Sequence, residues 1–300
     1  MSLEVGIVGP PVAGKSTLFA ALTGTAPEGY GAEHVGMAMI PDERLPQVAR
    51  AIGSSKVTPA SIRVLDLPGT AAAQLGGARA ADALIAVVGE EADLEALKLE
   101  LLVADSDHVG RRLERVRRDA KSGDPKLRAE VEELERLLGH VDAGRPLDEY
   151  EGVLPPELEP LTTKPLVPVV NGPAGIDLKL EAELAELPVE EATAYRDGQP
   201  SALDQVVRRL TEELDLVMFF TANESEARAW SLRRGRTVLE AAAAIHTDMA
   251  RGFIRCEVVP WHDLVEAGSR AEAARRGLQR LEGKNYEVQD GDVLNVRFNV

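Results

Sequence analysis

The pattern of apolar and polar positions divides the chain into three textures. In the first, a short apolar run at 3–8 gives way to a glycine- and proline-containing loop at 9–14. A helix then follows over 16–22, with Leu18, Phe19 and Leu22 on one side. Apolar runs at 62–67, 83–88 and 166–171 predict further strands. Strands of this kind, separated by loops and helices, imply a mainly parallel sheet covered on both faces. The second texture lies between 93 and 142, where nothing reads as a strand. Leu127, Val131, Leu134, Leu138 and Val141 recur at alternating four- and three-residue steps, and Leu113, Val116 and Ala120 carry helical spacing upstream. Ser122-Gly123-Asp124-Pro125 separates the two, which predicts an antiparallel helical hairpin. A Pro- and Glu-rich stretch at 147–165 leads back to the sheet.

The third texture begins near residue 213, after a helix over 202–214. Strands are predicted at 216–221, 254–259 and 293–300, and helices at 237–250 and 269–280, with a tight turn at 289–292. The resulting fold class is α/β: a doubly wound, mainly parallel sheet with an inserted helical hairpin and a C-terminal α+β module. The domain bounds follow as 1–92 with 147–212 for the sheet domain, 93–146 for the hairpin and 213–300 for the module.

Composition narrows the function classes. No apolar run approaches the ~20 residues of a membrane helix, and no secretory leader is expected because Glu4 interrupts the N-terminus. Cys256 is the only cysteine, which excludes an intrachain disulfide framework and a multi-cysteine zinc site. A soluble, cytoplasmic monomer with no membrane partner is the expectation. The formal charge is −16, which disfavours non-specific nucleic-acid binding. Residues 218–300 nevertheless carry 12 basic and 12 acidic side chains, so the excess lies in 1–217 and the C-terminal module does not repel RNA.

The chemistry concentrates near the N-terminus. Gly9-Pro10-Pro11-Val12-Ala13-Gly14-Lys15-Ser16 fits the phosphate-loop pattern G-x-x-x-x-G-K-[ST], after a strand and opening a helix, with Thr17 next. The two glycines let the backbone turn its N–H groups inward, and the helix N-terminus adds its positive end. Lys15 supplies a charge for the β- and γ-phosphates of ATP or GTP, and Ser16 a hydroxyl for Mg²⁺. Asp66-Leu-Pro-Gly69 ends the next strand in a D-x-x-G arrangement. Asp66 is the candidate Mg²⁺ carboxylate and Gly69 the candidate γ-phosphate sensor. Thr70 and three alanines then occupy the place where many GTPases carry a water-orienting Gln, and Gln74 reads as an exposed loop residue. Asn171-Gly-Pro-Ala174 lacks the carboxylate that reads guanine, which argues against strict GTP selection. Asn171 is either a base contact or a strand-end cap.

These residues resemble the YchF/Obg-like ATPase family. The strongest likeness is C-terminal: Phe219-Phe-Thr-Ala222, Glu226-Ala-Arg-Ala-Trp230, Ala244-Ile-His-Thr-Asp248, Gly252-Phe-Ile-Arg255, Leu281 to Val293, and Arg297-Phe-Asn-Val300. This part is similar to the family's TGS domain, a β-grasp module. The resemblance implies an ATP-preferring ATPase associated with ribosomes or RNA, with a hydrophobic residue where GTPases use Gln. The chain departs from the family pattern at several points. Val12-Ala13 stand where the family has Asn-Val, and Ala174 where it has Glu. Tyr30-Gly-Ala-Glu-His34 occupies a switch-like stretch without its usual Thr, and the segments after Val88 and around 172–200 look shortened.

The remaining features weigh less. Arg111, Arg115 and Arg118 share one helical face and form a candidate RNA or ribosome contact, the plainer alternative being a solvated face. His246 beside Asp248 reads as structural, Cys256 as core, and Trp230 and Trp261 as packing residues; His34 is the histidine nearest phosphate chemistry. Two function classes stay open on the sequence. One is a Mg²⁺-dependent NTPase with slow turnover, Lys15 and Gly69 being its catalytic candidates. The other is a non-catalytic nucleotide-sensing adaptor that binds protein or RNA.

Overall fold

A computed structural model describes residues 3–25, 34–67 and 71–299, with the backbone alone for 71–73. In chain order it contains β1 (Glu4–Val8), α1 (Lys15–Thr23), β2 (His34–Met39), α2 (Arg44–Ile52), β3 (Lys56–Thr58), β4 (Ser61–Asp66), α3 (Ala71–Ala78) and β5 (Ala83–Val88). The long helices α4 (Glu91–Asp119) and α5 (Pro125–Asp142) follow. Next come β6 (Leu166–Val170), α6 (Leu178–Ala185), α7 (Val189–Tyr195) and α8 (Ala202–Glu213). The C-terminal part runs β7 (Leu216–Ala222), β8 (Glu226–Arg233), α9 (Val238–Ile245), α10 (Thr247–Arg251) and β9 (Phe253–Pro260), then α11 (Trp261–Ala267), α12 (Arg270–Arg275), β10 (Arg280–Glu282) and β11 (Asp292–Phe298).

The chain forms two compact units. The first comprises Leu3–Gly36 and Arg63–Leu203. Its sheet has the order β2-β4-β1-β5-β6, with β1 parallel to β4 and β5, and β5 parallel to β6. All six residues of β5 are buried, as a central parallel strand demands. This arrangement brings the C-terminal ends of β1 and β4 side by side, Ile7 pairing with Asp66. The predicted hairpin is present. Asp124 caps α5 by accepting from the Lys126 amide at 2.8 Å, and Pro125 occupies the first helical position. Its core joins Val109, Leu113 and Val116 of α4 to Leu134, Leu137 and Val141 of α5. Leu147 and Leu158 from the returning segment, which forms three 3-10 turns, complete it.

The second unit gathers Met37–Ile62 with Asp204–Val300. Its sheet has the order β10-β9-β11-β7-β8-β3. β3, from the N-terminal third of the chain, is therefore the outer strand, parallel to β8. The Ser54 and Ser55 hydroxyls donate to the carbonyls of Asn223 and Ser225 at 2.6 and 2.9 Å and fasten its approach. One sheet face packs Phe219, Cys256, Val258 and Leu294 under α9.

Three readings change. The helix expected over 237–250 breaks at His246, whose extended backbone ends α9 and whose Nδ1 caps α10 by accepting from the Asp248 amide at 3.1 Å. The helix expected over 269–280 stops at Arg275, ahead of a left-handed Gly277, and β10 begins five residues on. Gln74 is not an exposed loop residue. It is buried within α3, because that helix starts at Ala71 and turns the position inward.

Candidate functional site

The phosphate loop joins β1 to α1, and backbone geometry explains its glycines. Gly9 has φ +147°, and a Cβ there would lie 2.1 Å from the Val87 carbonyl oxygen. Gly14 has φ +103° and a Cβ there would lie 2.7 Å from Asn171 Nδ2. The loop thus passes close over the ends of β5 and β6, where no side chain fits. Gly14 also starts α1 without a capping side chain, and no acid lies in that helix's first turn. By contrast α4 and α9 carry reciprocal capping boxes and α5 an aspartate cap. The first amides of α1, with the positive end of the helix, remain for an anion.

Lys15 folds back over this loop, its Nζ donating to the carbonyls of Gly9 at 2.9 Å and Pro10 at 2.8 Å. Burial lowers its pKa, and the charge of Asp66 opposes that shift. Asp66 itself ends β4 and is buried, 4% exposed. His34, the first residue of β2, places Nδ1 3.8 Å from Asp66 Oδ2 and its ring 6.1 Å from that of Phe19. Ser16, on the first turn of α1, is exposed.

Asn171 follows β6 and uses both ends of its amide. Nδ2 donates to the Ala13 carbonyl at 2.9 Å, and Oδ1 accepts from the Leu178 amide at 3.3 Å. It ties the phosphate loop to the start of α6, a geometry in which both of its polar ends already have protein partners. Pro10, Pro11 and Val12 form the outward rim, with Val12 fully exposed. Gly69, Thr70 and residues 30–33 lie outside the described residues.

Elsewhere the candidates separate. In the hairpin, Arg112 pairs with Glu130 at 2.6 Å and Arg117 with Glu135 at 2.6 Å, so both are committed to α5. Arg111, Arg115 and Arg118 are exposed and make no ion pair among the described residues. Trp230 stacks on Phe219 with centroids 6.3 Å apart and donates to Thr221 at 3.0 Å. Cys256 is fully buried, its thiol pushed up to about 12 by desolvation.

Arg79 and Asp105, which pair at 2.7 Å, belong to no sequence motif. Neither does Arg44, whose guanidinium holds both Asp42 and Asp290. Single charges scattered through helices carry no sequence signal of such partners.

Residues 216–299 match the family of YchF-GTPase C-terminal domains, described as a protein of unknown function, and residues 4–127 match the family described as 50S ribosome-binding GTPase. The chain is 33% identical to the ribosome-binding ATPase YchF of Bacillus subtilis, with 100% of both chains covered. It is 28% identical to Obg-like ATPase 1 of Pongo abelii, over 99% of this chain and 93% of that one. The Bacillus alignment spans 366 positions against 300 residues here, leaving about 66 positions with no counterpart in this chain. Among solved structures, the Schizosaccharomyces pombe YchF GTPase superposes with a TM-score of 0.81 at 24% identity, over 99% of this chain and 98% of that one. By phosphate loop, full-length similarity and fold, the chain belongs to the YchF/Obg-like ATPases, a family of P-loop nucleoside triphosphatases.

Proposed function

We propose that this protein is a Mg²⁺-dependent, ATP-preferring NTPase of slow turnover that acts as a switch on the ribosome. The observation that carries the nucleotide reading is the uncapped N-terminus of α1 beneath a loop held open by Gly9, Gly14 and Lys15. There the first amides of α1 bind the phosphates, and Lys15 exchanges its two loop carbonyls for phosphate oxygens.

The donor set suits Mg²⁺. A hydroxyl at Ser16 and a buried carboxylate at Asp66 are hard oxygen ligands, and this ion usually takes one or two protein oxygens with phosphates and water. Held by Ser16 and Asp66, Mg²⁺ would supply charge neutralisation for the nucleotide's phosphates. ATP preference is supported by the absence of a carboxylate in Asn171-Gly-Pro-Ala174 and by relatives named ATPases. Slow turnover is supported by the burial of Gln74, the one glutamine close behind D-x-x-G, within α3.

The ribosome is the partner named for the YchF relatives. The proposed contacts are the Arg111, Arg115 and Arg118 face and the TGS-like module over 218–300. Co-sedimentation with ribosomes across a salt series tests this. Binding should weaken with salt and drop in an Arg111/Arg115/Arg118→Glu variant. Intrinsic hydrolysis measured alongside should be about 10⁻³ per second or slower. Absence of co-sedimentation at low salt in every nucleotide state would remove the ribosome from the proposal.

A further inference from the structure

The buried Asp105 of α4 has no role in the phosphate site, yet it is among the most completely engaged side chains of the molecule. It is 1% exposed. Its Oδ1 accepts from Arg79 Nη1 at 2.7 Å and from the Leu161 amide at 3.0 Å. Its Oδ2 accepts from the Thr162 amide at 2.9 Å and the Thr162 hydroxyl at 2.8 Å. Four donors fill the four lone-pair positions of a carboxylate. Arg79 in turn donates to the carbonyls of Ala104 at 2.7 Å and Glu159 at 3.3 Å. Thr162 Oγ1 also accepts from the Leu147 amide at 2.9 Å, which carries the network into the hairpin core.

Three structural elements meet at this carboxylate. Arg79 follows directly on α3, the helix that starts five residues beyond Asp66 and leads out of the D-x-x-G segment. Asp105 lies within α4, an uninterrupted helix of 29 residues. Residues 159–162 belong to the segment returning from the hairpin. Apolar contact already joins α3 to α4 through Leu75, Ala78, Leu97 and Leu101. Adhesion therefore does not require a buried ion pair, which seldom contributes more stability than an apolar pair of the same size. What an arginine adds, with Nη1 on the caged carboxylate and Nη2 on the neighbouring Ala104 carbonyl, is a fixed register between the two helices. From Asp105 the helix runs about 20 Å to Arg118 at 1.5 Å per residue, so a small displacement at Arg79 is enlarged at the hairpin tip.

We propose that the Arg79–Asp105 clamp makes α3 and the helical hairpin move as one piece, so that nucleotide at the phosphate loop sets the position of the hairpin tip. This rests on the nucleotide reading given above and adds the route by which it reaches the hairpin.

The test uses the full chain with spin labels at Lys121→Cys, on the tip, and Glu186→Cys, after α6. Both positions are exposed, and the buried, protonated Cys256 stays unlabelled. The probe is magnesium adenylyl imidodiphosphate, whose binding is followed separately by calorimetry. In the parent the distance distribution should shift on binding. In Asp105→Asn, and in Arg79→Met, binding should persist while the shift is lost. Arg79→Met frees α3 from the carboxylate while Asp105 keeps its bonds from the Leu161 and Thr162 donors, so the junction with the returning segment stays satisfied. A parent that binds the probe without a shift, or variants that shift as the parent does, would overturn the clamp. A parent that does not bind the probe at all overturns the nucleotide reading and the clamp with it.

Discussion

Among the described residues, Val12 is the one whose backbone suits its side chain least. It has φ +65°, the left-handed region, with a β-branched side chain that is fully exposed and so gains nothing from packing. The resembled family has Asn at this place, a residue that tolerates that conformation. Strain of this kind costs on the order of 1–3 kcal/mol. Val12→Asn is therefore expected to stabilise the nucleotide-free protein by about 1 kcal/mol, read as a higher midpoint in thermal unfolding. A midpoint unchanged or lowered would contradict this. At this scale the sequence was legible where a motif fixes the neighbours. Lys15, Asp66 and Asn171 stand around one loop because the strand-loop-helix pattern fixes where they sit. Gln74 was misread because its burial depends on where α3 begins, and Asp105 was overlooked because its partners lie 26 and more residues away.

Among the elements, those with strong periodicity were legible: β1, β5, the hairpin and β7. The stretch holding β2, α2 and β3 is harder to read, because Leu45, Val48, Ala49 and Ile52 keep helical spacing over only nine residues. Pro46 sits within the first turn of α2, and β3 has only three residues, too few for alternation to register. β8 was hidden because its buried positions are the alanines 227 and 229. α2 packs on the second sheet through the buried Leu45, Val48 and Ala49, and Arg44 adds a polar tie. Arg44 donates to Asp290 at 2.6 Å, lies 5.5 Å from the Phe220 ring centroid, and Asp290 Oδ1 accepts from the Met218 amide at 2.9 Å. Burial alone would raise the Asp290 pKa. The hydrogen bonds from Arg44 and Met218, with the Arg44 and Arg234 charges, outweigh it and hold the pKa below the ordinary carboxylate range. A depressed folded-state pKa gives stability that is fully present above the unfolded value, about 3.9, and is lost as pH falls through the folded one. The difference in unfolding midpoint between the parent and Asp290→Asn should accordingly be largest above about pH 4 and shrink below it. A difference that grew on acidification would contradict the ion pair's role.

For the whole molecule, the sequence made the parallel sheet, the hairpin and the C-terminal module recognisable. It did not reveal that residues 37–62 are built into one compact unit with 204–300. That association rests on the buried Leu45, Val48 and Ala49 of α2, a three-residue strand, two serine hydroxyls and Arg44, a pattern too short to set 37–62 apart from its neighbours in the sequence. Its consequence is physical: the chain leaves the phosphate-loop unit after Gly36, completes the second sheet, and returns at Arg63, just ahead of Asp66. The nucleotide site is tested by calorimetric titration of the full chain. The titration uses ATP and GTP with Mg²⁺ on the parent and on Lys15→Ala. The parent should bind ATP at least as tightly as GTP. Lys15→Ala should lose about 2–3 kcal/mol of triphosphate affinity, roughly 30- to 150-fold, because a charge-assisted contact is removed. A Lys15→Ala variant binding ATP as tightly as the parent, or GTP bound a hundredfold tighter than ATP, would contradict the nucleotide reading.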